Sequence, residues 1–217
     1  MISRGWSAHW GRRLRRGLGL GVIVVLLASV TLTLWVSGCS NRQHFYDVTG
    51  ELIVPSAAEP YGEALSRARE WKPDAYLFAI TAEVASSSGA RPAGADLAYY
   101  FESPTAGRSY LFLGMIDGQW REEVLAGSTG VTHAEIARED WVLDSVDAWG
   151  IALADGGDEF LIEHQEPLTN MDVELTYRPV GDEDLIVWSV SFSIPFGPRL
   201  WLKIDPLSGK ILERNSP

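Results

Sequence analysis

Residues 185–193 read LIVWSVSFS, and after the loop Ile194-Pro195-Phe196-Gly197-Pro198, residues 200–204 read LWLKI. In the first stretch Trp188, Val190 and Phe192 alternate with Ser189, Ser191 and Ser193. A period of two places apolar and polar side chains on opposite sides of an extended chain, so both stretches read as β-strands with one buried face. Working outward, 173–177 (VELTY) alternates in the same way and is separated from 185–193 by the acidic turn 181–184. Downstream, Asp205-Pro206-Leu207-Ser208-Gly209 is a turn by composition and leads to a last strand over 210–213. Upstream, Asp144-Ser145 caps a helix on which Val146, Trp149 and Leu153 share a face, and Gly156-Gly157 is expected to end it. Residues 160–164 offer one further helical turn. The connections are short, so neighbouring strands pair as hairpins.

A similar order precedes it. Pro60 suits a first helical turn; Ala64, Leu65, Ala68 and Trp71 follow at helical spacing, and Pro73 stops the helix. Strands are expected at 75–84 (AYLFAITAEV), 97–102 (LAYYFE), 110–116 and 119–124, with the loop 86–94 after the first and the hairpin signal Asp117-Gly118 between the last two. Short hairpins with helices to one side give an α+β fold: an antiparallel sheet packed by helices, in two degenerate helix–strand–strand–strand repeats over 61–125 and 140–214. Residues 39–60 carry Pro55 and Pro60 without periodicity and read as a tether, leaving 61–217 as the domain.

The stretch 201–212 (WLKIDPLSGKIL), an apolar strand, an Asp, a turn ending in Gly and a second apolar strand, resembles the closing hairpin of PepSY-like domains. Met115-Ile116-Asp117-Gly118 closes the first unit similarly. The resemblance covers roughly residues 61–213 as two copies. It implies a non-enzymatic extracytoplasmic α+β module of the kind that binds or restrains peptidases, and it brings no catalytic residues.

Residues 1–38 stand apart. They hold five arginines (Arg4, Arg12, Arg13, Arg15, Arg16) and no acid, and 17–36 is an uncharged run rich in Leu, Val and Gly. That run closes with Val36-Ser37-Gly38-Cys39, and Cys39 is the single cysteine of the chain. The four residues resemble the bacterial lipobox: Val36, Ser37 and Gly38 form the cleavage motif of an export signal (1–38), and the Cys39 thiol takes the lipid. The alternative is an uncleaved transmembrane anchor, since about 20 apolar residues span a bilayer. Both readings put the remainder outside the cytoplasm, held to the cell membrane or an outer membrane. Ser40, rather than Asp, after the cysteine resembles lipoproteins sent onward to an outer membrane. Beyond Gly38 the chain keeps 13 of its 18 basic residues against all 29 acidic ones, a formal charge of −16. So acidic a chain repels phosphate backbones, which argues against nucleic acid as a partner.

Gly156-Gly157-Asp158-Glu159-Phe160 spells the signature of diguanylate cyclases. Asp155 stands where that family carries a basic residue, a helix rather than a strand precedes the string, and an exported domain meets no GTP. The string reads as a helix stop and a capping Asp158, and no nucleotide is expected. His44, His133 and His164 have no neighbours at metal-ligand spacing, and the acid groups Glu122-Glu123, Glu139-Asp140 and Asp182-Glu183-Asp184 read as solvated turns, so neither metal nor cofactor is expected. No serine sits in a nucleophile elbow. The aromatics Tyr99-Tyr100-Phe101, Trp188 and Phe192 serve either a ligand groove or, more simply, the core. Phe196, held between two prolines in a loop, is a candidate partner contact. The expected function is an envelope interaction module with a protein partner such as a peptidase or sensor. The alternatives are a binder of lipid or another small apolar ligand and, last, an enzyme built on scattered acids.

Overall fold

The computed structural model describes residues 52–86, 96–127, 133–164, 170–194 and 196–215, all within one compact unit spanning His44–Pro217. Strand β1 (Leu52–Ile53) precedes helix α1 (Tyr61–Trp71), then β2 (Tyr76–Glu83), β3 (Ala85–Ser86), β4 (Leu97–Glu102), β5 (Ser109–Ile116) and β6 (Gln119–Ala126). Helices α2 (Ser145–Ala152) and α3 (Asp158–Glu163) follow, then β7 (Asn170–Val180), β8 (Glu183–Ser193), β9 (Arg199–Ile204) and β10 (Ile211–Arg214). The fold is α+β, as the hairpin spacing predicts. Eight strands form one antiparallel sheet in the order β10-β9-β8-β7-β2-β4-β5-β6, and β1 pairs with β3 in a separate two-stranded ribbon.

The sheet is two four-stranded meanders joined at its centre, where β2 pairs antiparallel with β7 over Ile80↔Leu175 to Glu83↔Asp172. Helix α1 packs on β2 and β5, and α2 on β7 and β8. Both contribute to a single core with Leu77, Ile80, Tyr99, Phe101, Leu113, Met171, Trp188 and Phe192. Two edge-to-face contacts join the halves: Tyr61 against Trp141 (5.4 Å between centroids) and Trp141 against Trp188 (6.2 Å). Ala64 and Ala68 face the sheet from α1 with no exposed surface, and Leu65 and Trp71 flank them. The Asp117-Gly118 turn takes φ 51° and 72°, the two positive values a two-residue type I′ hairpin needs.

Four expectations change. Residues 52–60, assigned to the tether by composition, are built into the domain. The Asp144 carboxylate that caps α2 also accepts from the backbone N–H of Ala57 (2.7 Å) and Ala58 (3.0 Å), and Ser145 Oγ donates to the Pro55 carbonyl (2.6 Å). Tyr99 Oη donates to the Ala57 carbonyl at 2.5 Å. These partners lie about forty or ninety positions away, so no local pattern reveals them. Second, α2 buries Ser145, Ala148, Trp149 and Ala152, whereas Val146 is 47% exposed. Capping at Asp144, with Asp147 reaching back to the Asp144 N–H (3.0 Å), fixes the helical phase one residue earlier than the apolar residues suggest.

Third, Gly156-Gly157 does not end the helical run. Leu153–Gly157 forms a π-type turn kinked at Asp155 and Gly156 (φ 103°), and the chain continues as α3 with Asp158 in its first turn. Glycine is required at 157 by close approach, since a Cβ there would sit 2.7 Å from both the Ala152 carbonyl oxygen and Phe192 Cζ. Phe160 is buried and its ring packs on Phe192. Each glycine and the phenylalanine of the cyclase-like string thus has a packing role. Fourth, β7 and β8 are each 11 residues long, well beyond their alternating segments. A two-residue turn at 181–182 lets Val180 pair with Glu183, so the ladder runs on where both faces meet water and side-chain alternation fades.

Candidate functional site

The helices cover one face of the sheet. The other face carries two adjoining clefts of about 630 Å³ each, which share Thr81, Tyr100 and Glu174. Their side chains come from the strand positions alternate to the core. In β4, Tyr99 and Phe101 point into the core while Tyr100 lines both clefts. The register of β2 shifts between Leu77 and Ala79, and the bulge brings Phe78 out beside Tyr100.

The first cleft lies at the end of the sheet where β2 begins, β4 ends and β5 begins, and its floor is aromatic. Phe78, Tyr100 and Tyr110 meet pairwise with ring centroids 5.8–6.3 Å apart, and Phe78 and Tyr110 stand nearly perpendicular at 87°. A segment that belongs to no sheet strand closes one side. Ile136 N–H donates to the Leu77 carbonyl (2.8 Å) and Tyr177 Oη donates to the Glu135 carbonyl (3.2 Å). This docking lays the His133 ring flat on Phe78, with centroids 4.2 Å apart and planes 12° from parallel. Glu102 Oε2 accepts the His133 backbone N–H (3.0 Å) and lies 3.3 Å from His133 Nδ1. Tyr76 Oη sits 3.1 Å from the same carboxylate oxygen. Burial first, and then the hydrogen bond to Glu102, push the Tyr76 hydroxyl up to about 12, so it stays a donor throughout the neutral range. Arg108 stands exposed at the rim.

The second cleft is polar. Glu83 and Asp172 face each other across β2 and β7, Ser191 Oγ donates to Asp172 Oδ2 (3.3 Å), and Trp201 and Lys203 come in from β9. Lys203 Nζ lies 5.2 Å from the centre of the Trp201 ring and pairs with Glu213 at 2.7 Å. Glu174 is held by Arg178 at 2.6 Å. The Glu83 carboxyl is pushed up to about 7 by burial, with the charges of Asp172 and Asp96 adding to it. Its buried Oε2 has no hydrogen-bond partner among the described residues. Two carboxylates opposed across a strand pair repel, so this position favours a proton on Glu83.

Of the residues singled out from sequence, Val36, Ser37, Gly38, Cys39 and His44 lie outside the described residues. Phe196 sits at a loop tip, fully exposed and at φ 60°. Tyr99, Phe101, Trp188 and Phe192 are core, and of the aromatic stripes only Tyr100 reaches the groove. His164 packs edge-on against Phe160, and His133, which sequence spacing leaves without partners, is held by Glu102. Sequence reasoning passes over Phe78, Glu102, Arg108 and Tyr110 as site residues. A bulge and a docked segment bring them together, and neither leaves a spacing signature. Among the described residues there is no group of three or more His, Cys, Asp or Glu side chains placed to hold a metal ion. No helix among them is long and apolar enough to cross a membrane. No protein-family model matches the sequence, and no curated protein and no solved structure matches it.

Proposed function

We propose that the chain is a non-enzymatic binding module of the cell envelope, exported by a signal over residues 1–38, lipid-anchored through Cys39, and displayed outside the cytoplasm. Its two halves, 61–125 and 140–214, are degenerate PepSY-like copies. Three features support that reading: each half contributes a leading helix and a four-stranded meander, the first strands of the two meanders pair at the centre, and each meander closes on an Asp-plus-Gly turn.

The observation that carries the binding reading is the uncovered sheet face. A sheet this wide normally buries both faces or presents a plainly polar one. Here the open face holds a floor of three packed aromatic rings beside a carboxylate–imidazole pair. The occupant is a protein partner, a peptidase or a sensor, whose side chains enter the first cleft. Among the described residues no hydroxyl or thiol is hydrogen-bonded to His133, so Glu102 and His133 serve recognition and have no nucleophile to activate.

A second reading, a small apolar or lipid ligand, is favoured by one feature: about 630 Å³ is within the range of small-molecule pockets. A photo-crosslinking amino acid in place of Tyr110 in the full-length chain, activated in intact cells, tests the choice. One dominant envelope protein, lost in the Cys39→Ala chain, supports the partner reading. A bound small molecule in native mass spectrometry, with no captured protein, replaces it by the ligand reading. Neither result rejects both.

A further inference from the structure

The register places several exposed features at one end of the sheet. Glu83 is the last residue of β2, and opposite it lie Asp172 near the start of β7 and, through it, Ser191 near the end of β8. β3 continues directly beyond β2 and pairs with β1, so Leu52, where the N-terminal segment joins the domain, lies past this end. The 194–198 loop joins β8 to β9 past the same end, since Ser193 pairs with Arg199. Two to three strand spacings separate β2 from β8 and β9, about 10–15 Å.

At the tip of that loop stands Phe196. The loop is closed by Ile194 N–H donating to the Pro198 carbonyl (3.2 Å) and Gly197 N–H donating to the Ile194 carbonyl (3.0 Å). Between these bonds Phe196 takes φ 60°, a conformation a bulky side chain adopts only under constraint, and its ring is wholly exposed. The fold therefore holds a large apolar ring out in water at a strained position, which points to a use outside the domain. Ile53, at the junction with the N-terminal segment, is also exposed.

We infer that the 194–198 loop docks in the interfacial layer of the membrane that carries the N-terminal anchor, with Phe196 among the headgroups and upper acyl chains. This rests on the anchoring proposed above, in either its lipid or its transmembrane form. From Cys39 to Leu52 is 13 residues, a reach of at most about 45 Å. Anchoring at that distance holds the domain at high local concentration against the bilayer, so a single ring suffices to orient it. The contact is apolar rather than electrostatic, because Glu83, Asp96, Asp117 and Asp172 all lie at this end. Anionic lipid therefore weakens it, opposite to a basic membrane patch. The aromatic cleft, framed by Glu102, Tyr110 and His133, sits at the far end of the strands, five or six residues or about 17–20 Å further from the bilayer, open to a partner.

The test uses full-length anchored protein in vesicles of phosphatidylethanolamine, with and without phosphatidylglycerol. An environment-sensitive fluorescent amino acid replaces Phe196 in one sample and Asp182, in the opposite β7–β8 turn, in another. The expected result is that a lipid-borne quencher reduces emission at 196 several-fold more than at 182, and that phosphatidylglycerol narrows the difference. Equal quenching at both positions in protein that floats with the vesicles overturns the docking alone. Protein that fails to float overturns the anchoring and the docking together. Phe196 is exposed, so its replacement leaves the core intact, and unchanged thermal unfolding of the labelled chain verifies this.

Discussion

The covered and uncovered faces of the sheet are made by the same strands one residue apart, yet they differ in almost every physical respect. On the covered face Trp188, Phe192, Tyr99 and Phe101 have essentially no exposed surface, and each packs against another aromatic ring. On the uncovered face Phe78, Tyr100 and Tyr110 also touch one another, but all three remain half-buried and line a cleft. The covered face is close-packed, so its side chains are fixed by volume. The uncovered face is shaped by a bulge in β2 and by one docked segment, so small local changes alter what it binds while leaving the fold alone. Polar groups differ likewise. Trp188 Nε1 donates to the Leu143 carbonyl at 3.0 Å, whereas Glu83 keeps a buried oxygen without a partner among the described residues.

Substitutions break or sharpen this contrast. Trp188→Ala removes a fully buried indole and the edge contact with Trp141, and a loss of about 3–5 kcal/mol in urea unfolding is expected. Tyr110→Ala costing as much would erase the distinction between the faces. Asp144→Ala removes the acceptor for three backbone N–H groups, those of Ala57, Ala58 and Ser145. It is expected to cost about 2–3 kcal/mol and to release residues 55–58, read as faster amide exchange at Ala57.

Glu83→Gln acts in the opposite direction. Folded Glu83 keeps its proton up to about 7, against an ordinary 4.5, so its contribution is intact below about pH 4.5 and is lost as pH rises through 7. The amide never ionises, and it should stabilise the protein by about 1–2 kcal/mol at pH 8, after allowance for partial solvent screening, and by almost nothing at pH 4. An equal gain at both values would show that burial of Glu83 is not the cause. The smallest effect on stability is expected for Tyr110→Ala, within about 1 kcal/mol, because the ring is half-buried and leaves an open cleft rather than a closed cavity. The same change should abolish capture of the envelope partner, measured by crosslinking from a neighbouring cleft position.

Much of the architecture follows from local sequence. Alternation in 185–193, the Asp117-Gly118 turn, Pro73 after α1 and the Asp144-Ser145 cap each record a short-range constraint, namely pleat, turn dihedral, lost donor or capped N–H. Those constraints sufficed for the strands, the helices and the α+β class. The same local logic misread α2: apolar content alone pointed to Val146, whereas the cap sets the phase that buries Ala148 and Ala152. It also took 52–60 for tether, because the acceptors that hold this segment, Asp144 above all, lie nearly ninety residues away. The first cleft was illegible for the same reason. Glu102 and His133 are 31 positions apart, and Phe78 reaches His133 only through the bulge and the Ile136–Leu77 hydrogen bond. Sequence by itself determined which residues are extended, which are helical and which side of each strand is apolar, since these depend on neighbours within a few positions. Only the tertiary structure decided that β2 and β7 join two meanders into one sheet, that the helices leave its other face open, and which side chains meet there. Such pairings are settled by the competition among all available partners for burial and hydrogen bonds, and no single segment encodes its outcome.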